Sequence, residues 1–212
     1  GMRGNDWAAA TVAELSGMPN VRLMPRTTVT GAYDGGTYAA LQRVSHHMAQ
    51  APENVPLETF WRIVADRTIL AGGAIERPIA FANNDRPGVM MASAVRTYAN
   101  RFAVAAGRKV SIFTNNDDGH RTARDLVALG VNVVGVIDTR KGSAATGNYP
   151  VFAASQVIDT KGRLGLSQIT VRGPSGTQTL DTDCLAISGG WNPSVHLTCH
   201  MNARPRWDED LA

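Results

Sequence analysis

The sequence predicts an α/β fold in which parallel strands are joined by a crossover helix and flanked by β-meanders. Three observations carry this reading. Residues 109–138 (KVSIFTNNDDGHRTARDLVALGVNVVGVID) run as strand, tight turn, helix, strand. Residues 156–180 hold three β-rich runs separated by the turns Lys161-Gly162 and Gly173-Pro174-Ser175-Gly176, the pattern of a meander. Two apolar runs, TILAGGAIERP and CLAISGGWNP, lie on either side of the central unit, and each follows β-rich sequence and ends on Gly-Gly.

Taken in order, residues 6–15 read as a short helix that Pro19 breaks, and residues 21–24 as a short strand. Residues 27–33 and 37–44 are β-rich and separated by Asp34-Gly35-Gly36, which is a hairpin signal. Residues 45–57 read as a loop and 59–64 as another strand. Residues 67–74 then read as a buried apolar strand ending at Gly72-Gly73. Glycines there either let the strand end approach a ligand or another backbone, or serve a sharp turn of unusual dihedrals. Residues 75–87 are an irregular connection, and 89–105 read as a helix.

In the central unit, strand residues 109–113 lead to a polar turn at 114–118. The helix at 119–129 sets Ala123, Leu126 and Val127 on one face and stops at Gly130, which takes a left-handed turn cheaply. The second strand covers 131–137. Strand, helix, strand of this size implies a right-handed parallel crossover. A dinucleotide-binding fingerprint places glycines for the tight turn, for approach to the pyrophosphate and for helix–strand packing. Here those places hold Thr114, Asn116 and Gly119, so only the packing glycine remains. Asn116 tolerates a left-handed turn. Asp117 and Asp118 at the helix start suit capping and would repel a pyrophosphate. Asp138 stands where an acidic residue usually holds a ribose hydroxyl. The unit is therefore either a structural relic or a degenerate nucleotide site formed by Thr114, Asn116, Gly119 and Asp138.

Beyond residue 138, residues 140–148 are turn-rich, the meander follows, and 184–187 form a buried strand closed by Ser188-Gly189-Gly190-Trp191-Asn192-Pro193. Cys184 reads as a core residue, because a buried cysteine behaves as a small hydrophobe. Trp191 reads as packing, with stacking on a cofactor ring as the alternative. His46-His47 lacks a third ligand, and His196, Cys199 and His200 share a helix face but lack a fourth, so no metal is expected at either place.

The 212 residues, 43% hydrophobic, suffice for one domain or two small ones and contain no run long enough for a membrane span. A net charge of +3 without a basic cluster argues against nucleic acid. Two cysteines without C-x-x-C fit a reducing, cytoplasmic setting. The opening Gly-Met resembles a tag scar, so the chain is expected to be a piece of something longer.

The Gly-Gly runs resemble the strand ends of two-dinucleotide-domain flavoprotein disulfide reductases. More closely, RTILAGGAIERPIAFANNDRPGVM, VSIFTNNDDGHRTARDL, VGVIDTR and LAISGGWNPSVHL resemble the α subunits of heterotetrameric sarcosine oxidases, from Trp7 to Trp207, including Thr-Asn-Asn-Asp-Asp in place of the second fingerprint. The resemblance implies an FAD/NAD(P)-binding Rossmann-like fold, three-layer ββα with β-meanders, truncated at both ends. Residues 1–88 would be the remainder of a first dinucleotide domain without its N-terminal βαβ, 89–180 an inserted second NAD(P)-binding-like domain, and 181–212 the return to the first.

The same resemblance implies an enzyme only as part of a complex. That complex oxidises sarcosine to glycine, releases hydrogen peroxide and passes the one-carbon unit to tetrahydrofolate, which binds a C-terminal domain absent here. FAD and FMN would be held mainly through the β subunit, with smaller subunits completing the assembly. This segment would hold no catalytic residue. It would help position NAD at Gly72, Gly73, Gly189, Gly190 and Asn192, binding it weakly or not at all when alone, and would form a subunit interface. Two alternatives are a noncatalytic scaffold and an independent pyridine-nucleotide-dependent flavin reductase. The second needs an intact glycine fingerprint, and C-x-x-C for disulfide chemistry, and has neither.

Overall fold

The computed structural model describes residues 4–143 and 147–208. The chain divides into two compact units, Gly1–Gly72 with Val195–Arg206, and Gly73–Ser194 with Trp207–Ala212. The turn expected over 140–148 falls partly outside the described residues, as does the Gly-Met start.

The first unit opens with helix α1 (Gly4–Ser16), none of whose residues is buried. Strands β1 (Thr27–Tyr33), β2 (Thr37–Arg43) and β3 (Glu58–Val64) form an antiparallel sheet in that order. The β1–β2 turn uses Gly35 and Gly36 at φ 64° and 66°, a region closed to most side chains. Among the described residues of this unit, Ala32, Ala39 and Ala40 are the buried apolar ones, while Tyr33, Phe60 and Val64 are exposed. Trp61 donates its indole N–H to Gln42 at 2.9 Å, and the Arg22 guanidinium lies 4.4 Å from its ring centroid.

Residues 21–24 form no strand, and neither do 67–73. The apolar run TILAGG finds no partner strand, and without a ladder its β-formers stay in water: Ile69 is 92% exposed. Pairing begins beyond it, where β4 (Ala74–Glu76) in the second unit runs antiparallel to β13 (Trp191–Pro193).

The second unit is three-layered. Its centre is a parallel sheet of order β5-β12-β6-β7-β8, made of Val89–Met91, Cys184–Ser188, Lys109–Thr114, Asn132–Asp138 and Val151–Phe152. Helices α2 (Ala92–Phe102) and α3 (Asp117–Ala128) cover one face, with Val95, Ala99, Ala123 and Leu126 against Val110, Ile112, Val136 and Ala186. The meander of β9 (Gln156–Lys161), β10 (Gln168–Gly173) and β11 (Gly176–Asp181) covers the other, with Val157, Ile169 and Val171 against Phe113, Ile137, Leu185 and Ile187. All five residues of β12 are buried because it is a central strand covered on both faces.

The expected helix at 89–105 begins three residues late, since Val89–Met91 is taken into the sheet by pairing with Leu185–Ile187. It ends at Phe102, where Ala103 turns left-handed at φ 53°. The two units part after Gly72 and after Ser194. The reason is register: β12 lies between β5 and β6, so residues 184–188 belong to the parallel sheet, and the β4–β13 pair closes that unit.

Candidate functional site

In an open parallel sheet, ligands bind beyond the C-terminal strand ends where strand order reverses. Here that place lies between β12 and β6, with the turn Thr114–Asn116 on one side and Ser188–Gly190 on the other.

Thr114 is fully buried at the end of β6. Its Oγ1 accepts from the Asn116 backbone N–H at 3.1 Å and donates to the Asn116 carbonyl at 3.0 Å. Asn116 is extended at φ −148°, not left-handed, and it, not Asp117 or Asp118, caps α3: its Oδ1 accepts from the Asp118 N–H at 2.9 Å. An amide suits the place because it also donates. Its Nδ2 reaches the Ser188 carbonyl at 3.1 Å and Ser188 Oγ at 3.2 Å, fastening the turn to β12 as no carboxylate could. Gly119 keeps its packing role, since a Cβ there would overlap the Thr114 side chain.

Asp138 ends β7 with no solvent exposure. Arg140 donates to it from Nε at 3.2 and 3.3 Å, from a terminal guanidinium nitrogen at 2.9 Å and from its backbone N–H at 2.9 Å. His120 Nε2 lies 2.8 Å from Asp138 Oδ2, while His120 Nδ1 is buried without a partner. Burial alone would raise the Asp138 pKa, but the hydrogen bonds from Arg140 and His120 outweigh it and hold the carboxyl below its ordinary value. The same pairing pushes the Arg140 pKa up. Arg140 also reaches Asp117 at 2.8 Å. Asp118 accepts from the Trp191 indole at 3.0 Å and faces Arg96 at 3.5 Å.

The second glycine pair serves the chain's own backbone. Gly189 N–H donates to the Arg77 carbonyl at 2.8 Å, and a Cβ on Gly189 would stand 2.8 Å from that oxygen. The Gly190 carbonyl accepts from the Arg77 N–H at 2.8 Å, with Gly190 at φ 96°. Gly73, at φ 68°, accepts from the Ser194 N–H at 2.9 Å, and open space surrounds its missing Cβ. Asn192 pairs with Ile75 on the exposed β13. Gly73, Gly189, Gly190 and Asn192 are thus gathered around the β4–β13 pair, whereas Gly72 belongs to the first unit.

Sequence reasoning singled out Asp138 but missed His120, Arg140 and Ser188. An arginine two residues past the acidic strand end was the available signal for Arg140. Also unforeseen, Glu76 accepts from the Ser93 N–H at 2.8 Å, capping α2 in place of Met91, which has no capping side chain. Cys184 is fully buried, and burial pushes its thiol up to about 12. His46 pairs with Glu58 at 3.0 Å, and His200 Nδ1 accepts from the Ala32 N–H at 3.4 Å. Among the described residues, no group of three His, Cys, Asp or Glu side chains is placed to hold a metal. No helix among them is long and apolar enough to cross a membrane.

No family model matches the chain. It is 43% identical over its whole length to the sarcosine oxidase subunit alpha of Rhizobium meliloti (strain 1021), of which it spans 22%. It is 38% identical over 97% of its length to the subunit alpha of Corynebacterium sp. (strain P-1), of which it spans 23%. The chain therefore spans under a quarter of the curated relatives it matches. Among solved structures, L-proline dehydrogenase from P. horikoshii covers 94% of the chain at 21% identity and TM-score 0.65, using 34% of its own length. The T. acidophilum thioredoxin reductase covers 98% at 13% identity and TM-score 0.66, using 65% of its own length. These likenesses agree with the expected α/β, Rossmann-like class and speak to the fold alone.

Proposed function

We propose, from the premise that the chain is homologous from end to end to part of the sarcosine oxidase α subunit, that it works as a segment of such a subunit. In the assembled oxidase, sarcosine would be oxidised to glycine with release of hydrogen peroxide, and the one-carbon unit would pass to tetrahydrofolate. Flavin, held mainly by partner subunits, would supply the electron acceptor. The observation that carries this reading is 43% identity over the whole chain. Its contribution would be structural: the three-layer second unit, an interface to the β and smaller subunits, and a share in holding NAD.

The residues that would face NAD are Gly73, Gly189, Gly190 and Asn192, with Gly72 preceding them in the chain. Support for Gly73 and Asn192 is their exposure and the open space at Gly73. Gly189 is committed to Arg77, so it would act by shaping the backbone. On this reading the domains expected at 1–88, 89–180 and 181–212 become the two units that meet the chain at Gly73 and Ser194. The test is to co-express the whole parent protein with its neighbouring subunits and record the absorption spectrum of the purified complex. Flavin bands that bleach with sarcosine, with peroxide formed on return of air, are expected. A colourless assembly would remove the oxidase reading and leave the scaffold alternative.

A further inference from the structure

We propose that the βαβ unit of β6, α3 and β7 is a nucleotide site closed by the chain's own groups, with Arg140 in the place of the ribose and Asn116 in the place of the phosphate. A dinucleotide needs two things here: free backbone N–H groups at the turn and helix start, and a free acidic acceptor at the end of the second strand. The acceptor is spent internally, and so are three of the N–H groups. At the turn, the Asn115 N–H donates to the Ser188 carbonyl at 3.3 Å, that of Asn116 to Thr114 Oγ1 at 3.1 Å, and that of Asp118 to Asn116 Oδ1 at 2.9 Å. At the strand end, both Asp138 oxygens accept from Arg140, and one also meets His120.

Carboxylate repulsion is the lesser barrier. Asp117 is 92% exposed at its side chain, where water screens its charge, and its charge is shared with Arg140. Asp138 is wholly buried, and freeing it would strand a carboxylate away from water. The residues present therefore do not fit a dinucleotide at α3. This deepens the functional reading and rests on it in one respect: NAD carried by such an α subunit would lie on the Gly189–Gly190 side of the turn and not on Asp138.

The experiment is hydrogen exchange on the full chain with and without millimolar NAD, read over residues 134–141, the strand end that carries Asp138. No slowing by NAD is expected there, in the wild type or in D117N/D118N, where repulsion is lifted and the Asp138–Arg140 contact stays. Slowing in the wild type that D138N abolishes would overturn the proposal. So would slowing gained in D117N/D118N, because repulsion and not closure would then be the barrier. Sarcosine bleaching of flavin in the complex does not depend on either result, so failure here and failure of the oxidase reading are separate.

Discussion

Arg140 clasps Asp138 across two residues of chain, with its Nε, a terminal guanidinium nitrogen and its backbone N–H all donating to a carboxylate that has no contact with solvent. The strand end that marks a ribose site in relatives of this fold class is here an ion pair internal to the protein.

Removing the cation should be costly. Arg140→Met leaves Asp138 buried without its main partner, and breaking such a pair lowers stability by about 3–5 kcal/mol. Asp117→Asn removes only the exposed end of the network and should cost about 0–1 kcal/mol. Urea unfolding followed by circular dichroism measures both, and equal midpoints for the two variants would contradict the assignment.

Acid should weaken the same contact. The folded Asp138 pKa lies below the ordinary value of 3.8, so the carboxylate's contribution is complete above that value. It is lost as pH falls through the lower, folded-state pKa. Urea midpoints taken from pH 6 to pH 2 should drop on the acid side, and Asp138→Asn should flatten that drop.

Glycine substitutions separate packing from turn roles. Gly119→Ala drives a methyl into Thr114 and should cost about 1–3 kcal/mol. Gly130→Ala has room but must adopt φ 79°, for about 1 kcal/mol. Gly142→Ala has neither constraint and should stay within about 0.5 kcal/mol of the wild type. Thermal unfolding of the three orders them.

Much of this unit was legible in the sequence. The β-rich runs and the helical spacing of residues 109–138 place β6, α3 and β7 to within two residues, and Gly119 and Gly130 take the roles their spacing suggests. What could not be read was partnership. TILAGG has the composition of a buried strand yet finds no ladder, and Val89–Met91 joins the sheet only because Leu185–Ile187 is beside it. Asn116 likewise reads as a left-handed turn residue until Ser188, 72 residues away, supplies an acceptor for its amide. Such long-range contacts override local preference.

The two cysteines should differ in reactivity. Cys184 is buried with its thiol pushed up to about 12, whereas Cys199 is exposed. A thiolate is the reacting form. Iodoacetamide at pH 8 followed by mass spectrometry should label Cys199 alone in the folded chain and both cysteines in urea, and early labelling of Cys184 would show that β12 is not a core strand.

The most direct measurement of the α-subunit assignment is a segment exchange. The corresponding stretch of the Rhizobium meliloti α subunit is replaced by this chain, the hybrid is co-expressed with its own partner subunits, and sarcosine-dependent peroxide is assayed. The assignment predicts a flavin-bearing complex that makes peroxide with sarcosine. A hybrid that folds, judged by circular dichroism and a single elution peak, yet neither recruits partner subunits nor oxidises sarcosine would contradict it.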